Sequence, residues 1–227
     1  MPRIYVFDVN ETLLDLGALD LPFAETFGYA TARREWFALM LQLAFVSTIT
    51  ENYRDFGALG AAALDMLTAK LGLSLERGQR ATLLAGLRQL PPHAEVPASL
   101  KRLHEAGLRL VSLTNSPQSV AQAQLAYAGL GSYFEQQFSA DTVRRLKPAP
   151  EPYQMVAQEL NVSLADLCLV AAHTWDIAGA LKAGCSAAFI ARLGMVLDPG
   201  ATSPDTVGAD LTEIADWVLA REREEVR

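Results

Sequence analysis

Cysteine and histidine are scarce, at two and three residues in a chain of 227. No Cys/His cluster with metal-ligand spacing occurs, so a bound metal is not expected. Cys168 lies inside an apolar strand pattern and Cys185 in the next helix-to-strand junction, which predicts two reduced, buried thiols. Basic residues are too few. Lys and Arg number 19 against 26 Asp and Glu, a net charge of −7. That argues against nucleic acid as a main partner, because a phosphate backbone needs clustered Lys and Arg. It leaves room for a small anion, since a local site can oppose the global sign. No apolar run is long enough to span a bilayer. No secretory leader is visible, because the first apolar run breaks at Asp8. The expectation is a soluble, cytoplasmic protein with no membrane partner. Internal repeats and low-complexity tracts are missing as well.

What is present is a globular balance, 51% hydrophobic and 20% charged. The length suits one large domain, or a core with a smaller insertion. Ile4-Tyr5-Val6-Phe7 is short, apolar and rich in β-formers, so it reads as a strand buried on both faces. It ends at Asp8. A carboxylate at the C-terminal end of such a strand sits where open α/β sheets bind their ligands. Taken alone, Asp8 and the Asn10-Glu11-Thr12 that follows read as an ordinary turn or cap.

Residues 16–90 hold no clear buried-strand run. Trp36, Phe37, Met40, Leu41 and Ala44 fall at helical spacing, predicting a helix over 35–44. Residues 55–71 and 75–90 also read as helices, the latter with Ser74 as a candidate N-cap. Pro91-Pro92-His93 closes this segment. Beyond it, strand and helix alternate. Strands are predicted at 108–114, 167–172 and 187–191, with a short strand or turn at 134–138. Helices are predicted at 96–106, 118–128, 150–160, 177–183 and 210–221, with Ser163 capping a short turn. Residues 222–227 read as a mixed-charge end that frays. The alternation predicts βαβ units and a parallel sheet with right-handed crossovers.

Four strand-end or loop signatures come in a fixed order: Phe7-Asp8 with Thr12-Leu13, then Leu113-Thr114-Asn115-Ser116-Pro117-Gln118-Ser119, then Leu146-Lys147-Pro148 with Pro152-Tyr153, then Trp175-Asp176 with Gly179-Ala180. This order resembles the haloacid dehalogenase superfamily, and within it the type II (S)-2-haloacid dehalogenases. The resemblance implies an α/β, Rossmann-like parallel sheet core formed by residues 1–15 and 92–227. It implies a helical cap domain, residues 16–91, inserted after the first strand.

It also implies roles. Asp8 matches the nucleophile, which attacks carbon to form an ester that water then hydrolyses. Lys147 matches the cation that keeps it ionised, though a solvated loop lysine beside Arg144-Arg145 is the plain alternative. Thr12 is expected to hydrogen-bond within the nucleophile loop. Thr114 matches a contact to the substrate carboxylate and Asn115 a residue near the departing halide; both could also simply cap the helix that follows. Tyr153 would orient Lys147, or pack. Asp176 would hold Lys147 and the hydrolytic water, or cap its helix.

The departures carry information. Phosphatases of the superfamily place a second Asp two residues after the nucleophile and a metal-binding Asp four before the last strand-end Asp. Here those places hold Asn10 and Ala172. Neutral Asn cannot protonate a leaving oxygen, whereas halide needs no proton, and a hard cation wants carboxylates. His173 stands where the familiar dehalogenases have Asn. It could orient water, act as base for ester hydrolysis, or be a satisfied buried histidine. Phe37 falls at or near the place of their halide-binding Arg, with Arg33 and Arg34 close but out of register. Trp36, Asn115 or His173 could supply the halide's donors instead, or Trp36 and Phe37 could be cap core.

The reading is metal-independent hydrolysis of small 2-haloalkanoic acids to 2-hydroxy acids through an aspartyl ester, with no cofactor. The partner is the small anionic haloacid. The alternatives are a small-molecule phosphatase of the same superfamily and a non-catalytic binding member. An Ala- and Leu-rich cap surface makes a homodimer possible.

Overall fold

The computed structural model describes residues 3–225. Its core is a six-stranded sheet in the order β3-β2-β1-β4-β5-β6, parallel throughout. The strands are β1 (Ile4–Phe7), β2 (Arg109–Thr114), β3 (Gln136–Ser139), β4 (Leu167–Ala171), β5 (Ser186–Ile190) and β6 (Thr206–Gly208). The chain moves outward from β1 in one direction and then restarts beside it in the other. That makes the C-terminal ends of β1, β2 and β4 the switch point where open α/β sheets bind ligands.

Successive side chains of a strand face opposite ways, and both faces of this sheet are buried. Tyr5, Phe7, Cys168, Val170, Ala188 and Ile190 pack on one face. There they meet α5 (Val96–Glu105) and α9 (Leu211–Glu225) through residues such as Leu100, Leu103, Ile214 and Val218. Ile4, Val6, Leu169 and Phe189 point to the other face, against α7 (Pro150–Glu159) and α8 (Thr174–Ala183). Two-sided burial explains why these strands read as continuous apolar runs rather than alternating ones.

Between β1 and α5 lies an all-helical segment, the cap: α1 (Asp20–Phe27), α2 (Ala32–Ile49), α3 (Phe56–Lys70) and α4 (Arg77–Gly86). The chain leaves and returns at one spot. Asp15 N donates to Pro91 O at 2.8 Å and His93 N to Leu13 O at 3.0 Å. The small residues of α3 let α2 come close. A Cβ on Gly60 would stand 3.2 Å from Met40 Cε. The remaining helix, α6 (Gln118–Tyr127), follows β2. No helix of the described residues is long and apolar enough to cross a membrane.

Several expectations need correction. The helix expected over 35–44 runs from Ala32 to Ile49, because packing against α3 carries it through the β-branched residues at its end. Helix α1 was unforeseen. The helix expected over 75–90 is capped by Glu76, which bonds reciprocally with Gln79, rather than by Ser74. Helix α8 starts at Thr174, three residues early. Strand β6 was missed, because three residues on a sheet edge carry no periodic signal. The end expected to fray is helical to Glu225; residues 226–227 lie outside the described ones.

Candidate active site

Asp8 follows β1 directly, and its N–H continues the ladder by donating to Val170 O at 3.0 Å. The chain then turns sharply through Glu11, whose φ of 61° is left-handed. Leu13 N and Leu14 N both return to Val9 O. This turn swings Thr12 back under the carboxylate. Thr12 Oγ1 donates to Asp8 Oδ2 at 2.6 Å and accepts from Ala172 N at 3.0 Å. Arg192 holds the turn from outside, donating to Thr12 O through Nη2 at 2.7 Å.

Lys147 reaches this carboxylate from a loop 139 residues away. Its ammonium has three donors, and all are used: Asp8 Oδ1 at 2.9 Å, Asp176 Oδ2 at 2.5 Å and Leu113 O at 2.9 Å. Both Lys147 and Asp176 are 0% exposed, so neither charge is stable there without the other. Tyr153 completes the set by donating to Asp176 Oδ1 at 2.5 Å. The side chain of Asp176 therefore serves Lys147 and Tyr153 and does not cap α8; the N-cap position belongs to His173. Helix α8 can sit this close only because position 179 is glycine. A Cβ there would lie 2.6 Å from Pro148 Cβ and 2.7 Å from Tyr153 Oη.

Burial works against every charge in this cluster, and the partners decide the outcome. Burial pushes Asp8 up, but Lys147, then His173 and Thr12, outweigh it and hold the carboxyl well below its usual range. Burial would discharge Lys147, but Asp176 and Asp8 keep it above its ordinary value. Asp176 is pushed up by burial first, with Lys147 opposing and Asp8 adding to the rise. The result is an ionised, partly desolvated carboxylate at the strand end.

His173 faces the same carboxylate from the other side, with Nδ1 3.4 Å from Asp8 Oδ2. Its Nε2 lies 2.9 Å from Glu11 Oε2. Glu11 in turn accepts from Arg33 Nη1 at 2.9 Å, and Arg33 Nε reaches Asp20 at 2.8 Å. Burial favours neutral imidazole, but Asp8 and Glu11 outweigh it and raise His173 to about 9. Glu11 was not singled out in the sequence. Its partner is 162 residues distant, and the available signal was an extra carboxylate inside the nucleophile turn. Arg33, out of register for a halide ligand, is the residue that fixes Glu11.

The other expected residues divide. Thr114 is buried at the end of β2, where its Oγ1 accepts from Ser116 N at 3.2 Å. Asn115 brackets the backbone of Lys147, accepting from Lys147 N at 2.8 Å and donating to Lys147 O at 3.2 Å. It is thus spent largely on the lysine loop. Asn10 is tied down by Ser116 Oγ and Gln124 Nε2, at 3.2 and 2.9 Å. Trp36 is fully buried in the cap, and its indole N–H goes to Gly60 O at 2.9 Å. It has no donor to offer a halide, and the cap-core alternative holds for it. Phe37 does reach the site, its ring 6.3 Å from that of His173. Trp175 stacks on His173 at 5.0 Å, and its ring centre is 6.0 Å from Lys147 Nζ. Its buried indole N–H has no partner. A cavity of about 430 Å³ opens here, lined by Glu11, Phe37, His173 and Trp175.

A strand-end carboxylate, a buried lysine held by a second carboxylate, and a helical cap above them define a hydrolase of one family. Residues 2–184 match the family of haloacid dehalogenase-like hydrolases, and the chain belongs to it. Among characterised proteins, the chain is 32% identical to an (S)-2-haloacid dehalogenase of Pseudomonas sp. (strain YL), over 75% of this chain and 73% of that one. It is 28% identical to the (S)-2-haloacid dehalogenase of Xanthobacter autotrophicus over 99% of this chain and 87% of its relative. A solved structure of L-2-haloacid dehalogenase from Xanthobacter autotrophicus, with chloropropionic acid covalently bound, superposes with a TM-score of 0.89 at 25% identity, covering 96% of this chain and 98% of that one.

Proposed function

We propose that this protein hydrolyses small 2-haloalkanoic acids to 2-hydroxy acids through an ester on Asp8. The observation that carries this reading is the Lys147–Asp8 pair, which keeps the carboxylate charged while burial strips it of water. In the first step an Asp8 oxygen attacks C2, the carbon–halogen bond breaks, and halide leaves with the bonding electrons. In the second, water attacks the ester carbonyl, the C2 oxygen departs as the hydroxyl of the product, and Asp8 is regenerated with one oxygen from water.

His173 and Glu11 fit the second step. Forming the ester removes the Asp8 charge, which is one cause of the raised His173 pKa. The imidazolium then becomes more acidic and releases its proton to solvent, leaving neutral imidazole poised to take a proton from the attacking water with Glu11 orienting it. Thr114 would face the substrate carboxylate. The unpartnered N–H of Trp175 would serve the halide, in the place Trp36 cannot fill. Asn10, engaged as a neutral amide, cannot protonate a leaving oxygen, which disfavours phosphatase chemistry.

The cap is taken as residues 16–91 on a core of 1–15 and 92–227, supported by the paired crossing at Asp15 and Pro91. Exposed Val46, Ile49 and Met66 on the cap helices support pairing with a second copy, which sedimentation would test. The two unpaired, buried thiols suit a cytoplasmic setting.

The test is halide release from each 2-chloropropionate enantiomer and from fluoroacetate, with chelator present, for the wild type and Asp8→Asn. Release from the wild type that survives chelation and is lost in Asp8→Asn is expected. No release from any haloacid, with magnesium-dependent cleavage of a phosphate ester, would overturn the reading.

A further inference from the structure

Lys147 is fixed from the core side by Asn115, but the segment leading to it is gripped from a second direction. The turn joining α2 to α3 comes down onto residues 141–146. Tyr53 Oη donates to Asp141 Oδ1, and the Arg144 guanidinium stacks 5.0 Å over the Tyr53 ring. Thr48 Oγ1 donates to Leu146 O at 3.4 Å, one residue from the lysine. Glu51 and Arg145 stand at ion-pair distance, 3.8 Å.

These contacts all cross from cap to core, and all land on the few residues that end in Lys147. The core end of the segment is itself wired to the site. Asp141 N donates to Ser139 Oγ at 3.1 Å, and Ser139 Oγ donates to Ser116 O at 2.6 Å, beside Asn115. Burial, with Asp141 adding, raises the Tyr53 phenol above its ordinary range, so it remains a donor.

We propose that the α2–α3 turn is a clamp by which the cap sets the position of Lys147, with Tyr53 as its positioning residue. Tyr53 touches neither Asp8 nor Lys147. It acts through Asp141 and Arg144, so the lysine is in register with the nucleophile only when the cap is seated. The claim for turnover rests on the dehalogenase reading; the claim for the loop does not.

The experiment compares wild type, Tyr53→Phe, Asp141→Asn and the double variant. Tyr29→Phe is the control, deleting a similar bond within the cap, Tyr29 Oη to Glu35 at 2.7 Å. The first readout needs no activity. Trypsin cuts after Arg144 and Arg145, and its rate there is measured against cleavage after the exposed Arg77. The expected result is a rise of about fivefold or more in Tyr53→Phe and Asp141→Asn and none in Tyr29→Phe, since a freed loop is cut through its open state. The second readout is halide release. A fall in kcat of about tenfold is expected with KM within about twofold, because sub-ångström misplacement of a charged group acts on the chemical step. The double variant should match the singles. Unchanged cleavage overturns the clamp. So does faster cleavage with kcat unmoved, or an equal loss in Tyr29→Phe. If no protein, wild type included, releases halide, the functional reading falls and the cleavage ratio alone decides the clamp.

Discussion

Lys147 Nζ lies 2.9 Å from Asp8 Oδ1 and 2.5 Å from Asp176 Oδ2, with no solvent access to the lysine. One buried cation thus balances two carboxylates, and removing it leaves Asp176 without a cation and Asp8 with His173 alone. Lys147→Met is expected to cost about 3–5 kcal/mol of stability, the usual penalty for orphaning a buried charge. It should also abolish turnover near neutral pH, because Asp8 loses the largest influence opposing burial. Denaturant melts and halide release at several pH values check both. Turnover that returns on raising the pH would locate the defect in Asp8 ionisation.

Tyr153→Phe removes the 2.5 Å bond to Asp176 while keeping the ring. A loss of about 1–3 kcal/mol is expected for a buried acceptor left short of a donor. Activity should fall less than in Lys147→Met, since the lysine retains its own bonds. Thermal melts alongside kcat measure the two effects.

Gly179→Ala tests the same corner by packing. The added methyl would press on Pro148 and Tyr153 at under 3 Å. Overpacking of this kind costs about 1–3 kcal/mol. Activity should fall too, because the obstruction lies between Asp176 and the lysine loop. An alanine variant as stable and active as the wild type would contradict the packing described.

His173 gives a pH signature in stability. Its folded pKa of about 9 lies above the ordinary 6.5, so its contribution is complete below about pH 6.5 and is lost as pH rises through 9. The size is about 3 kcal/mol at most, from the usual 1.36 kcal/mol per pH unit. Asp8 contributes in the opposite sense: its depressed pKa stabilises above about 3.8 and the benefit disappears on acidification. Melting temperatures of the wild type should decline from pH 6.5 to 9, while His173→Asn gives a flatter curve.

Much of this site was legible because its parts end strands or open helices. Asp8, Thr114 and Asp176 each close a short apolar run or lie just beyond one, and buried parallel strands write themselves as such runs. Lys147 was legible from its neighbours Leu146 and Pro148 and its place in the order. The pairing of Glu11 with His173 was not, since nothing local marks a contact across 162 positions. Trp36 stayed open between cap core and halide donor for a similar reason. An indole at a cap position looks available until its N–H is found on Gly60 of the adjacent helix. Strand β6, three residues at a sheet edge, is held by pairing with β5 and left no pattern of its own.

A single turnover in ¹⁸O-water decides whether Asp8 forms the ester. Enzyme in excess over L-2-chloropropionate is quenched after one cycle, and the hydroxyl oxygen of the product and the peptide carrying Asp8 are weighed. Unlabelled product and ¹⁸O on Asp8 are expected, because the product takes its oxygen from the carboxylate and water repairs the ester. Label in the hydroxyl of the first product, with none on Asp8, would mean that water attacks C2 itself and would contradict the account.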